Sequence, residues 1–166
     1  MTASSSSRLN YQVHSKYTLK ICQQPLRARL CSFKDKVDRR PLDPPPIIQL
    51  VSNTIDESKY SHYFLYATLV SEDGNDNIAF LENNRTTAGD VVQSLYRLRD
   101  FGNNDGVFFI FSDISIRMEG FFRLRFTLFE IIGSYSQCKC SVLSDVFQVY
   151  SPKSFPGMSG NIYINI

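Results

Sequence analysis

The side chains best equipped for chemistry in this sequence are cationic and lie close together. Between Arg27 and Arg40 the chain places Arg27, Arg29, Lys34, Lys36, Arg39 and Arg40 against only Asp35 and Asp38, six basic residues to two acidic, a local charge of +4. The whole chain carries +2, so the remainder is slightly acidic. A basic segment on a near-neutral body is the electrostatic footprint of an anion-binding surface. Lys and Arg there would neutralise nucleic-acid phosphates, and an arginine fork can also read a guanine edge in the major groove. The same residues fit a second reading, a solvated loop whose charges pair locally with Asp35 and Asp38. Pro44-Pro45-Pro46 follows shortly after and excludes a helix or an interior ladder position. It favours an extended segment that stiffens the loop, and a stiff loop loses less entropy on binding.

Other reactive types carry weaker signals. His14 and His62 have neither metal-ligand nor triad spacing. Cys138-Lys139-Cys140 has one intervening residue and no second knuckle, so the four cysteines (Cys22, Cys31, Cys138, Cys140) read as reduced thiols in packing roles. Asp105 sits in turn chemistry, and Asp113 reads as a strand-end cap or bend rather than half of an acid–base pair. Arg123 and Arg125 share a strand face; phosphate contact is one reading of them, and the expected one is pairing with acidic neighbours such as Glu119 or Glu130. No glycine-rich phosphate loop and no G-x-S-x-G elbow occur. The expectation is a non-enzyme without metal or cofactor. The polar start MTASSSS is unlike a secretory leader, and no apolar run approaches a membrane span.

The elements that must position these groups read as strands. Arg117 to Ile132 alternates Phe122, Leu124, Phe126 and Leu128 against Phe121, Arg123, Arg125, Thr127 and Phe129. Such alternation marks a long strand with one face in a core, and Gly120 marks a turn or bulge before it. Further strands are expected at Tyr17–Gln23, Ile47–Val51, Tyr63–Val70, Val107–Phe111, Ile114–Met118 and Val146–Tyr150, with a brief extension at Arg27–Cys31. Asn53–His62 and Glu72–Arg85 read as loops, and Gly133–Cys138 as a turn. Val91, Val92, Leu95 and Leu98 admit a short helix or strand pieces. The predicted architecture is an all-β sandwich.

Several blocks taken together resemble the fungal velvet domain. They are QQPLRARLC (23–31), DRRPLDPPPIIQL (38–50), YFLYA (63–67), DGVFFIF (105–111), EGFFRLRFTLFE (119–130) and FPGM (155–158). The resemblance implies an immunoglobulin-like sandwich similar to the Rel homology DNA-binding domain, with a flexible tail at 1–16, the velvet domain at 17–158 and a divergent end at 159–166. It implies a nuclear regulator of development, sporulation and secondary metabolism, with shuttling from the cytoplasm left open. Its partners would be double-stranded DNA and other velvet-domain proteins, in homo- or heterodimers, without a membrane. By motif, Arg39 and Arg40 inherit DNA contact, assisted by Lys34, Lys36, Arg27 and Arg29. Val37 stands where the family carries a lysine, and the final basic strand is replaced by SGNIYINI. The alternative is a protein-interaction module that dimerises with other velvet proteins and does not bind DNA.

Overall fold

The computed structural model describes residues 16–33, 39–99 and 102–160. In chain order the strands are β1 (Thr18–Gln23), β2 (Arg27–Arg29), β3 (Ile47–Val51), β4 (Tyr63–Ser71), β5 (Phe80–Leu81), β6 (Asn84–Arg85) and β7 (Thr87–Gly89). They continue as β8 (Val92–Ser94), β9 (Tyr96–Arg99), β10 (Asp105–Ile110), β11 (Ile114–Ile116), β12 (Gly120–Ile132), β13 (Tyr135–Leu143) and β14 (Phe147–Tyr150). A 3-10 turn at Glu57–His62 leads into β4. The serine-rich tail falls almost wholly outside the described residues, as do Lys34 to Asp38 and the last six positions.

Strand β12 organises the fold, as its alternation predicts. Phe122, Leu124, Phe126 and Leu128 are all buried, whereas Phe121, Arg123, Arg125, Thr127 and Phe129 are partly or fully exposed. Along β4 the register sets Leu69, Ala67 and Leu65 opposite Leu124, Phe126 and Leu128, which makes one continuous apolar face. That face belongs to a sheet ordered β2-β14-β12-β4-β8, with β13 pairing the far half of β12. The second sheet runs β1-β3-β10-β9 and supplies Leu19, Ile48, Leu50 and Phe109 to the same core. Just past β10, the Phe111 ring lies 5.2 Å from that of Phe126. Burying such side chains is worth about 1.5–3 kcal/mol each, so the two inner faces hold the sandwich shut.

Two sequence expectations need correction and one left open is settled. Gly133–Cys138 is not simply a turn, because β13 begins at Tyr135 and pairs β12 as far as Arg125. The segment left open between a short helix and strand pieces is resolved as strand, β8 at Val92–Ser94 and β9 at Tyr96–Arg99. Arg123 and Arg125 do not pair with Glu119 or Glu130. Arg123 donates from Nε to the Glu72 carbonyl at 2.7 Å and from Nη1 to the Ser144 carbonyl at 2.9 Å. Arg125 donates from Nη2 to the Gly74 carbonyl at 2.7 Å. Loop carbonyls without ladder partners need donors, and these two guanidinia tie the β4–β5 turn to the sheet. The turn also uses Asp73, whose carboxyl is held down to about 2 by the Ser71 hydroxyl first and then by the Asn75 N–H groups.

Glu130 is taken instead by Lys139, at 2.6 Å, and by the Tyr63 hydroxyl, which donates at 3.0 Å. Tyr63 also meets the Tyr17 hydroxyl at 3.2 Å, so the network joins the entry to β1 with β4, β12 and β13. Lys139 reaches Glu130 because it is the extra residue where the β12–β13 register shifts, Cys140 facing Leu128 and Cys138 facing Phe129.

Candidate nucleic-acid interface

The basic segment leaves and re-enters the body on one short buried strand. The Cys31 N–H donates to the Ile116 carbonyl and the Leu42 N–H to the Ile114 carbonyl, each at 2.8 Å. Both feet of the loop therefore stand on β11, whose three residues are fully buried. Strand β2 adds a second anchor through its parallel pairing with β14. Beyond the second foot, Asp43 gathers the neighbouring chain. Its carbonyl accepts the Leu26 and Arg27 N–H groups at 3.0 Å, and its N–H donates to the Arg27 carbonyl. Its carboxylate, 1% exposed, takes the Ser159 N–H at 2.6 Å and lies 3.8 Å from Arg27 Nε. The proline run is packed in place: Pro44 and Pro46 are buried, the Asp43–Pro44 bond is cis, and Phe111 N–H donates to the Pro46 carbonyl. The stiff brace read from the sequence is thus built into the wall of the sandwich.

The predicted site residues separate under this geometry. Arg27 is half-buried against Asp43, so in the free chain it neutralises a buried carboxylate at the foot of the loop. Arg29 follows on the same face of β2, Ala28 between them being fully buried. Arg39 and Arg40 are exposed. Arg39 Nη2 reaches both carboxylate oxygens of Asp113 at 2.6 Å, which gives Asp113 a partner that the strand-end reading did not foresee. Lys34 and Lys36 lie outside the described residues.

Arg39 is held close to the floor by a glycine. Gly89 has φ +92°, and a β-carbon there would lie 1.8 Å from the Asp113 carbonyl oxygen and 2.9 Å from Arg39 Nη1. Only glycine accepts this conformation and this approach together. The Asp113 carbonyl also receives the Asp90 N–H at 2.8 Å. The β7–β11 pair consequently fixes both the feet of the loop and the partner of its first described arginine.

Two further arginines face the same place. An open depression of about 510 Å³ is lined by Phe33, Arg39, Arg85 and Arg117, with Cys31 and the β7 residues as floor. Arg85 comes from β6, and Arg117 directly follows β11. The Arg117 guanidinium lies over the Phe33 ring at 4.9 Å from its centroid. Its Nε is buried and lacks a hydrogen-bond partner. Sequence reading missed Arg85 and Arg117, since neither belongs to a charge run and only the β7–β11 pairing brings them to the loop.

Alternative chemistry finds little support among the described residues. No three His, Cys, Asp or Glu side chains are grouped to hold a metal ion. The four cysteines are free, and burial pushes the Cys22 and Cys140 thiols up, away from thiolate. Asp105 is at the opposite end of β10 from Asp113. It is bonded to Arg97 at 2.8 Å and Arg99 at 3.1 Å, and hydrogen bonding to Arg97 leads the causes that lower its pKa. The depression beside it, about 460 Å³, is therefore edged by a closed ion-pair set that also includes Glu57.

The sequence matches the family profile described as Velvet factor over residues 17–88 and 80–161. It is 41% identical over 156 residues to a spore development regulator of Pyricularia oryzae, covering 89% of this chain and 30% of that protein. It is 36% identical over 165 residues to a sexual development regulator of Gibberella moniliformis, with 89% and 36% covered. It is 34% identical over 158 residues to a component of the velvet complex of Chaetomium globosum, with 89% and 34% covered. The chain thus spans about a third of the length of these curated relatives.

Proposed function

Because the chain belongs to the velvet family, its profile match running across most of the sequence, we propose that it is a non-catalytic regulator of fungal development and sporulation that binds double-stranded DNA through the basic loop. The observation that carries the reading is the arginine-lined depression at the feet of that loop. Arg39 and Arg40 supply the principal contacts, with Lys34, Lys36 and Arg29 as assistants, and Arg27 acts mainly by holding the loop's foot. Phosphate neutralisation provides most of the affinity, and a forked arginine adds preference at a guanine. Work in the nucleus, control of secondary metabolism and pairing with another velvet-domain protein belong to the same proposal. The developmental role is supported by relatives named as spore and sexual development regulators, and the pairing by a relative named as part of a velvet complex.

The second reading, a pairing module without DNA contact, draws on the outer strand β13. Tyr135 and Leu143 are exposed there, and Ile131 is exposed on the adjoining β12. One paired experiment separates the two readings. The chain is titrated with promoter-length duplexes at several salt concentrations and, in parallel, offered a velvet-domain protein. The DNA reading expects binding whose log–log salt slope is about −0.9 per phosphate contacted. Partner capture with no duplex bound at low salt favours the pairing module.

A further inference from the structure

We infer that Arg85 and Arg117 extend the basic loop's site and, together with Arg39 of the loop, form a seat for one phosphate group. The inference rests on the DNA reading for the source of that phosphate, the backbone of a duplex, but its chemistry stands on the depression alone. Three guanidinia from three separate segments line it, and no carboxylate is among its lining residues. Asp113 is paired with Arg39 at 2.6 Å. Arg85 has no ion pair among the described residues and is exposed at the base of the β5–β6 hairpin.

Arg117 is the stronger sign. Buried donors are nearly always bonded, yet its Nε is buried and unpartnered. The guanidinium carbon lies 4.9 Å from the centre of the Phe33 ring, a contact that uses none of its N–H groups. A stacked guanidinium keeps its fork free for bidentate recognition of phosphate. The Phe33 ring is itself 55% exposed, so the stacked pair forms an open wall rather than part of the core. Opposite stands the hairpin, which carries Arg85 at its base. A backbone lying between the loop and the hairpin would present a phosphate to both walls.

The full chain allows a direct test with two variants. Arg85→Gln removes an exposed charge and leaves the fold in place. Arg117→Lys keeps the charge and removes the fork. Duplex binding is measured as a function of salt, and the side-chain N–H resonance of Arg117 is followed while inorganic phosphate, or a short duplex, is added. The expected result is a slope smaller by about one in Arg85→Gln, with a weaker but still salt-dependent complex for Arg117→Lys. The Arg117 resonance should move with phosphate and with duplex in the parent, and less in Arg85→Gln. A resonance that moves with phosphate while no duplex binds upholds the seat and overturns the DNA reading. Duplex binding with an unchanged slope in Arg85→Gln and an unmoved Arg117 resonance overturns the seat and leaves the DNA reading standing.

Discussion

Two sets of arginines in this molecule look alike in sequence and differ in what surrounds them. Arg123-Leu124-Arg125 sits mid-strand with Leu124 fully buried, and each guanidinium is bonded to backbone carbonyls of adjoining turns. Arg39, Arg85 and Arg117 stand around an open depression with one exposed carboxylate, an aromatic ring and an unpartnered Nε for company. The first set has its donors used by the chain itself. In the second, Arg39 is bonded to Asp113, whereas Arg85 has no ion pair among the described residues and Arg117 Nε has no partner. The partner proposed for these groups is an external phosphate. Residue type and spacing therefore do not separate a structural arginine from a binding one. The partners do.

The sharpest way to disturb this contrast is Gly89→Ala. A β-carbon 1.8 Å from the Asp113 carbonyl, at φ +92°, forces the β7–β11 pair apart. Backbone strain and overpacking together should cost on the order of 3 kcal/mol. Because the same atoms position Arg39, DNA affinity should fall along with the urea midpoint. Next comes Arg123→Met, which leaves the Glu72 and Ser144 carbonyls without a charged donor. It should lower unfolding free energy by about 2 kcal/mol, while the salt dependence of DNA binding at low temperature stays that of the parent. A change in that slope would move Arg123 into the binding set.

The smallest effect belongs to Glu130→Gln, and it has a pH signature. Lys139, first among the causes, and the Tyr63 hydroxyl hold the Glu130 carboxyl below its usual range. Glu130 in turn raises Lys139. A lowered acid contributes stability above its unfolded value, about 4.3, and loses it as pH falls through the folded value. A raised lysine contributes below its unfolded value, about 10.4, and loses it as pH rises through the folded one. The variant should therefore be less stable than the parent by no more than about 1 kcal/mol between those limits. The difference should fade at both ends of a pH series of denaturation curves. A constant difference down to pH 2 would show that packing, not charge, is at work.

The parts of this account that were legible in the sequence are those encoded locally. β12 announces itself because its residues alternate from Phe121 to Phe129, and the basic loop because its charges adjoin. β13 was missed for the opposite reason. Tyr135, Ser136, Gln137 and Cys138 are all exposed, so no apolar alternation exists to read, and the extra residue Lys139 resets the phase midway. The partners of Arg123 and Arg125 were misassigned because backbone carbonyls leave no trace in side-chain spacing. Arg85 and Arg117 are single charges in their own neighbourhoods, and their convergence depends on a three-residue pairing between β7 and β11. The strand at Ile114–Ile116 was legible, but not the loop feet that stand on it.

The division between the two arginine sets is tested most directly by one salt titration run on three proteins. Fluorescence anisotropy of a labelled duplex is measured for the parent, for Arg39→Ala combined with Arg40→Ala, and for Arg125→Gln. The Arg39–Asp113 pair is partly exposed on both sides, so its loss should cost under about 1 kcal/mol and leave the fold intact. The account predicts that the double variant loses most of its affinity and that its log–log slope falls by about two, whereas Arg125→Gln keeps the slope of the parent. A double variant that binds with the parent's slope, beside an Arg125→Gln chain that does not, would place the binding charges on the sheet and contradict the account.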